Sequence, residues 1–166
     1  IDCIVNNAGI NRLNYINKTL MNDFDEMMEV NLKLPYQIIR NLSTKMLKNN
    51  YGRIVNIGSI FGVISKERRS MYSATKFGIH GITVGSSNDL AGNNIFVNTV
   101  SPGFVLTDLT KQNLSSKEME LLKEQIPAKK LADTSYISNL VMFLLSDYNK
   151  YITGQNIIAD GGFTNI

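Results

Sequence analysis

Short apolar segments alternate along this chain with longer segments whose apolar residues recur at steps of three and four. The short segments predict strands, and the longer pattern is that of an amphipathic helix. The predicted strands are 3–5, 53–57, 95–100 and 155–159, and the predicted helices are 22–48, 71–90, 116–125 and 134–146. Because strands alternate with helices, the chain is predicted to have an α/β fold built on a parallel sheet.

Composition excludes several classes of function. The 166 residues, of which 43% are apolar, suit a globular domain, and the net charge of +3 is spread without a basic motif, so no nucleic-acid partner is expected. No apolar run approaches the ~18 residues of a membrane span, and a cytoplasmic location is expected. The lone cysteine, Cys3, is expected to be a buried core thiol, and the lone histidine, His80, has no second metal ligand beside it.

Tyr72 and Lys76 lie four positions apart in a predicted helix, so the phenol and the ammonium share one face. For a tyrosine to act as acid and base near neutral pH, its pKa must fall by about 3 pH units, worth roughly 4 kcal/mol. A positive charge about 4 Å away supplies energy of that size. Taken alone, however, a Tyr-x-x-x-Lys pair is more often an ordinary surface pair.

Ser59 and Asn31 are the next two candidate functional residues. Ser59 follows a predicted strand, at the edge of a parallel sheet where ligands bind, and its hydroxyl can hydrogen-bond a carbonyl oxygen. The alternative is that Ser59 caps a turn. Pro35 has no N–H and therefore leaves the carbonyl of Asn31 without its helical partner. That carbonyl is free to hold a water linking Lys76 to solvent, unless the proline simply kinks the helix.

Together these motifs resemble the short-chain dehydrogenase/reductase family over essentially the whole chain. The spacing of thirteen positions between Ser59 and Tyr72 fits the family pattern. The further matching segments, in chain order, are Asn6-Asn7-Ala8-Gly9, Asn31, Pro102-Gly103-x-x-x-Thr107, Ile152-Thr153-Gly154-Gln155 and Asp160-Gly161-Gly162. The resemblance implies the C-terminal part of a doubly wound Rossmann-type sheet with helices on both faces.

The resemblance also assigns catalytic roles. Tyr72 is expected to exchange a proton with the substrate oxygen, and Ser59 to orient that oxygen. Lys76 is expected to lower the Tyr72 pKa and to bind the ribose of the nicotinamide cofactor. Asn31 is expected to hold the relay water.

The cofactor implied is NAD or NADP, with NADP favoured by the resemblance, and no metal is implied. Two groups of residues are expected to contact it. The group on the adenosine side is Asn6, Ala8 and Gly9. The group that flanks the nicotinamide is Pro102, Gly103 and Thr107, with Thr107 near the carboxamide.

The family begins with a strand, a glycine-rich phosphate turn and two further strand–helix units, and none of these is in this sequence. Roughly 80 residues of the family pattern are therefore unmatched. Residues 1–166 are expected to be a single but incomplete domain, the catalytic and substrate half, and to be inactive alone. The residue that separates NAD from NADP belongs to the unmatched part.

Substrate and assembly follow from smaller features. Residues 102–108 resemble those of bacterial 3-oxoacyl-carrier-protein reductases, which suggests a 3-oxoacyl thioester, possibly linked to a carrier protein; a keto-sugar or polyol reductase, or a non-catalytic family member or relic, is the alternative. Residues 108–127 are expected to form a lid, or else a surface helix, with apolar side chains at Leu114, Met119, Leu122 and Ile126. Gly78, Gly81 and Gly85 share a helix face, which suggests a homodimer or homotetramer, or a close contact within one subunit.

Overall fold

The computed structural model describes residues 1–107, 110 and 115–165. Every predicted strand and helix is present, with ends that differ by at most a few residues. The strands are β1 (Cys3–Asn6), β2 (Gly52–Ile57), β3 (Ile95–Pro102) and β4 (Asn156–Ala159). The helices are α1 (Met21–Met28), α2 (Leu34–Asn49), α3 (Ser70–Leu90), α4 (Ser116–Gln125) and α5 (Thr134–Leu145).

The four strands form one parallel sheet in the order β1-β2-β3-β4. Val5 lies opposite Val55, and Ile54 lies opposite Val97. Because all four strands run the same way, their carboxyl ends meet at one edge of the sheet. The predicted parallel α/β fold is confirmed.

Two apolar clusters cover the two faces of the sheet. Ile54 of β2 points toward α2 and α3, where it packs with Ile39 and Leu90. Its neighbour Val55 points to the opposite face and packs with Val141 of α5. Successive residues of β2 are therefore both buried, which explains why the strand reads as a continuous apolar run. Helices on both faces are also confirmed.

The predicted helix from 22 to 48 is not continuous. A five-residue π-helical turn, Glu29–Lys33, separates α1 from α2, and the Leu34 N–H donates to the Glu29 carbonyl. Pro35 occupies the start of α2, where its missing N–H costs least. The irregularity that Pro35 predicts is therefore a widened turn, and it places Asn31 in a buried position.

The expectation that Cys3 is buried was wrong. Burial alternates along β1, with Ile4 and Asn6 buried and Cys3 and Val5 exposed. Since β1 lies at the end of the sheet, packing against α2 covers only one of its faces. Separately, none of the helices in the described ranges combines the length and apolar character that a bilayer crossing needs.

A chain of polar side chains crosses the sheet beneath α3. The Asn6 amide donates to Asn56 Oδ1 (2.7 Å), and the Asn56 amide donates to Thr83 Oγ1 (2.8 Å). Thr83 and Thr99 share a hydrogen bond of 2.7 Å. All four side chains are buried, so each polar atom relies on its neighbour in place of water.

Thr83→Val keeps the shape of this side chain but leaves the Asn56 amide and the Thr99 hydroxyl without a partner. We expect unfolding free energy to fall by about 1–3 kcal/mol, because buried polar groups lose their hydrogen bonds. Urea unfolding of the full-length gene product measures the change. Thr44→Val is the matched control, since Thr44 is also a helical threonine with a hydrogen-bonded hydroxyl but is exposed. Equal losses for the two variants would contradict the prediction.

Candidate active site

Three loops that follow parallel strands lie side by side at the carboxyl edge of the sheet. Residues 7–9 follow β1, Gly58 and Ser59 follow β2, and Gly103 follows β3. The Gly58 N–H donates to the Val100 carbonyl (2.7 Å), which fixes the second loop against the third strand. In open parallel sheets this edge is where ligands bind.

A cleft of about 570 Å³ opens at this edge, where α3 crosses the first two loops. Three residues predicted from the sequence line it: Gly9, Tyr72 and Lys76. Sequence reasoning missed its other lining residues, which are Asn7, Ile10, Asn11, Arg12, Ile57 and Gly58. Four of these six lie in or just after the loop that follows β1, so their proximity to Tyr72 depends on how that loop folds back.

Ser59 serves two purposes at once. Its hydroxyl accepts a hydrogen bond from the Phe61 N–H (3.1 Å) and so caps the short 3₁₀ helix Ile60–Gly62. The same side chain lies near enough to Tyr72 to act on the pKa of that phenol. The turn cap that we considered as an alternative is therefore present together with the contact to Tyr72. The cap fixes the position of Ser59 near the phenol.

The pKa of Tyr72 is raised above its ordinary value. Burial is the main cause, while the interaction with Ser59 and the charge of Arg69 act in the lowering direction. The Tyr72 pKa is not visibly lowered by Lys76 in this structure, and that role of Lys76 stays a prediction. The Lys76 ammonium lies 5.6 Å from the Tyr72 ring centroid and donates instead to the Ile57 carbonyl (2.8 Å).

Lys76 is an almost fully buried ammonium, with 5% of its surface exposed. Burial lowers its pKa to about 8. Within the described part of the chain, the Ile57 carbonyl is the acceptor it meets, and an ammonium carries three donors. Two N–H groups therefore remain for a ligand in the cleft. Gly62 lets α3 come this close, because a Cβ there would lie 2.5 Å from the Lys76 carbonyl oxygen.

The Asn31 side chain forms two hydrogen bonds with the segment that follows β1. Its Oδ1 accepts from the Ile10 N–H and its Nδ2 donates to the Ile10 carbonyl, both at 2.8 Å. Nδ2 also donates to Thr75 Oγ1 (3.2 Å), which ties the same amide to α3. The side chain thus joins the loop, the π turn and α3. The water that we expect the Asn31 backbone to hold stays a prediction.

The three residues expected on the adenosine side lie in different surroundings. Gly9 lines the cleft, with its Cα region close to Asn31 Oδ1 and Lys76 Nζ. Asn6 is buried beneath the cleft, where it bonds Asn56. Ala8 lines a separate small recess. Their contacts with a cofactor stay predictions.

The residues expected to flank the nicotinamide follow β3. Gly103 packs against the C-terminal turn, since a Cβ there would lie 2.8 Å from Asp160 Cα. Pro102 is the last residue of β3 and pairs with Ala159. Thr107 Oγ1 accepts from the Thr110 N–H (3.2 Å). Their roles toward the cofactor also stay predictions.

The predicted lid segment is described only from residue 115 onward, apart from Thr110, so Asp108 and Leu114 lie outside the described residues. Ser115 begins α4 with a capping box to Glu118. Ile126 is buried and Met119 and Leu122 are half-buried, as an apolar inner face requires. Whether the segment moves over a substrate stays a prediction.

The three glycines of α3 have different neighbours. A Cβ at Gly78 would lie 2.9 Å from the Leu32 side chain, so this glycine serves a contact within the subunit. A Cβ at Gly81 or Gly85 would meet nothing within 4 Å. The close contact within one subunit that we considered therefore accounts for Gly78 and leaves the other two glycines bare.

Comparison with known proteins agrees with this geometry. The family model described as Enoyl-(Acyl carrier protein) reductase matches residues 1–164. A 3-oxoacyl-acyl-carrier-protein reductase of Staphylococcus epidermidis is 38% identical over 162 residues, which are 98% of this chain and 66% of that protein.

Solved structures of similar fold also match the chain. A gluconate 5-dehydrogenase from Burkholderia cenocepacia in complex with NADP and tartrate gives a TM-score of 0.94 at 28% identity, covering 100% of this chain and 66% of that one. A 4-hydroxyisoleucine dehydrogenase complexed with NADH gives a TM-score of 0.92 at 28% identity, covering 99% and 69%.

The chain belongs to the short-chain dehydrogenase/reductase family. It spans about two thirds of the length of the curated relatives it matches, 66% of one and 65% of another.

Lys76→Met should stabilise the fold at neutral pH. The folded-state pKa of Lys76, about 8, lies below the ordinary 10.5, so below pH 8 the folded protein bears the full cost of burying the charge. That cost is at most roughly 3 kcal/mol, reduced by about 1 kcal/mol for the lost hydrogen bond to Ile57. Between pH 8 and 10.5 the unfolded chain binds more protons, so wild-type stability should rise relative to the variant.

Urea unfolding of both proteins at pH 7 and pH 10 measures this effect, with Lys45→Met as a control for loss of an exposed lysine. A variant that is less stable than wild type at pH 7, or a difference that does not change with pH, would contradict it.

Proposed function

We propose that the full-length protein is an NAD(P)-dependent oxidoreductase that reduces a ketone, and that its substrate is a 3-oxoacyl thioester. One observation carries the proposal. The Tyr72 phenol lies in the same cleft as the buried Lys76 ammonium, at the ligand-binding edge of a parallel sheet, with Ser59 near enough to lower the pKa of the phenol.

The cleft suits a nicotinamide cofactor. Lys76 offers two free N–H donors there, and Gly9 presents bare backbone beside it. Tyr72 and Lys76 would hold the nicotinamide ribose, and when bound the cofactor supplies a hydride to the substrate carbon. Pro102, Gly103 and Thr107 would flank its nicotinamide, and Asn6, Ala8 and Gly9 its adenosine side. The choice between NAD and NADP stays open, since NADP and NADH both occur in structures of similar fold.

Within this cleft the chain moves one proton. Ser59 donates a hydrogen bond to the substrate carbonyl oxygen and holds it beside the phenol. Tyr72 gives its proton to that oxygen as negative charge develops there. The burial that raises the Tyr72 pKa keeps the phenol protonated and ready to donate. The positive charge of Lys76 favours the phenolate that remains, and water at Asn31 would return the proton.

The substrate class is supported by the relatives. The 38% identity to the staphylococcal reductase exceeds the 28% identity to the gluconate dehydrogenase, and it favours the acyl thioester. A keto-sugar or polyol is the second candidate, favoured by the structural match to that dehydrogenase. A non-catalytic family member would be expected to lose Tyr72 or Lys76, and both are present.

We also propose that residues 1–166 form the catalytic and substrate half of one Rossmann-type domain, and that the protein assembles as a homodimer or homotetramer. The bare face of α3 at Gly81 and Gly85 supports assembly, since each glycine costs about 1 kcal/mol in a helix and makes no close contact within the subunit. Exposed Phe77 and Val84 lie on the same helix.

The activity is tested by oxidation of NADH and of NADPH in the presence of an acetoacetyl thioester. We expect turnover by the full-length gene product and a loss of at least 100-fold in Tyr72→Phe, because the proton donor is removed. A keto-gluconate substrate is the second arm, and turnover with it alone would replace the acyl substrate by a keto-sugar. Cofactor binding without turnover of either substrate would favour a non-catalytic role.

Assembly is tested by the double substitution Gly81→Ala, Gly85→Ala. We expect a lower molar mass than wild type by light scattering at the same concentration, because each new methyl group holds a partner backbone away. Gly92→Ala is the control, since a Cβ there also meets nothing within 4 Å but lies beyond α3. A double variant of unchanged mass and higher thermal stability would show that this face is free.

A further inference from the structure

Arg69 directly precedes α3 and lies one turn before Tyr72. Its carbonyl accepts from the Ser73 N–H (2.8 Å), so its backbone is fixed by the first turn of the helix. Its guanidinium carbon lies 4.1 Å from the centre of the Phe61 ring. Phe61 in turn meets Tyr72 edge-on, with 6.3 Å between the ring centres. The aromatic ring therefore holds a cation close to the phenol.

This cation is not neutralised within the described part of the chain, where Arg69 forms no ion pair. Its Nε is buried and has no hydrogen-bond partner. Burial lowers the pKa of Arg69, as expected for a guanidinium without a carboxylate. An arginine kept partly buried beside a tyrosine, at this cost, requires an explanation.

Two other cations line the cleft with Tyr72, and each has a partner elsewhere. The Arg12 guanidinium, which lines the same cleft, pairs with Asp23 and Glu26 of α1. The Lys76 ammonium donates to the Ile57 carbonyl. Within the described ranges, Arg69 is a charged side chain that acts on the Tyr72 pKa, in the lowering direction.

We propose that Arg69 is a positioning residue that acts through Tyr72: its charge, held against the Phe61 ring, stabilises the phenolate left when Tyr72 gives up its proton. The proposal rests on the proposed function, in which the Tyr72 proton moves to the substrate oxygen. The phenol then has two cations near it. Lys76 lies one helical turn after Tyr72, and Arg69 lies one turn before Tyr72, just ahead of α3.

The test reads the ionisation of position 72 directly and needs no turnover. The full-length protein is made with 3,5-difluorotyrosine at position 72 alone, whose phenol ionises near neutral pH, and is titrated by fluorine NMR. The same probe is placed in Arg69→Met, Arg69→Gln and Arg69→Lys. Arg68→Met is the matched control, because the adjacent Arg68 is exposed and stacks on Tyr15 instead.

We expect the titration midpoint to rise on the order of one pH unit in both neutral variants, as for a charge removed from about 10 Å at an effective dielectric of about 20. In Arg69→Lys the titration midpoint should return most of the way to the wild-type value. In Arg68→Met it should stay near that value. A midpoint that does not move in the neutral variants, or that rises equally in Arg68→Met, overturns the proposal.

The two proposals fail separately. Absence of turnover in the wild type would count against the reductase, while the fluorine titration still decides whether Arg69 stabilises the phenolate. If wild type is active, the same neutral variants should displace the Tyr72 limb of the pH profile, and Arg69→Lys should bring it back.

Discussion

The close approach of α3 to the end of β2 is the contact on which the rest of this structure depends. At Gly62 the backbone of α3 comes so near the loop after β2 that a methyl group would collide with it. This approach brings Lys76 within reach of the Ile57 carbonyl and Tyr72 within reach of Ser59. Farther along the same helix, Thr83 meets Asn56 and Thr99 in the buried polar chain. One helix therefore supplies both the reactive side chains and the bonds that hold its own position.

Burial has opposite effects on the two titratable groups of the cleft. It raises the pKa of the Tyr72 phenol and lowers that of the Lys76 ammonium, because each neutral form is easier to desolvate. The protein spends stability to keep a lysine there, as expected for a group retained for chemistry. The pKa values of such a pair are sensitive to any further charge. A single arginine at the edge of the site, Arg69, therefore acts on the pKa of Tyr72.

The sequence predicted the elements of this fold well because strand and helix patterns are local. It also placed Ser59, Tyr72 and Lys76 at one site, since strand ends and helix spacing fix their positions. It did not predict that Lys76 would bond Ile57, nor that Arg12 would line the cleft, because both depend on how distant loops pack. Cys3 was misjudged for a related reason: an apolar run does not reveal that its strand is covered on one face only. Pro35 predicted an irregularity in its helix, but the sequence did not show that it would take the form of a widened π-helical turn.

The pair of hydrogen bonds between Asn31 and the Ile10 backbone limits which side chains position 31 tolerates. A backbone residue offers one donor and one acceptor, and a primary amide offers their complement, so Asn31 pairs with Ile10 much as a neighbouring strand would. A carboxylate would oppose the Ile10 carbonyl with a second oxygen, and an aliphatic side chain of the same size would leave both backbone groups unpaired in a buried place. Asn31 thus recognises Ile10 through its backbone alone, so this contact fixes the path of the chain beside the cleft and leaves the side chain at position 10 free to vary.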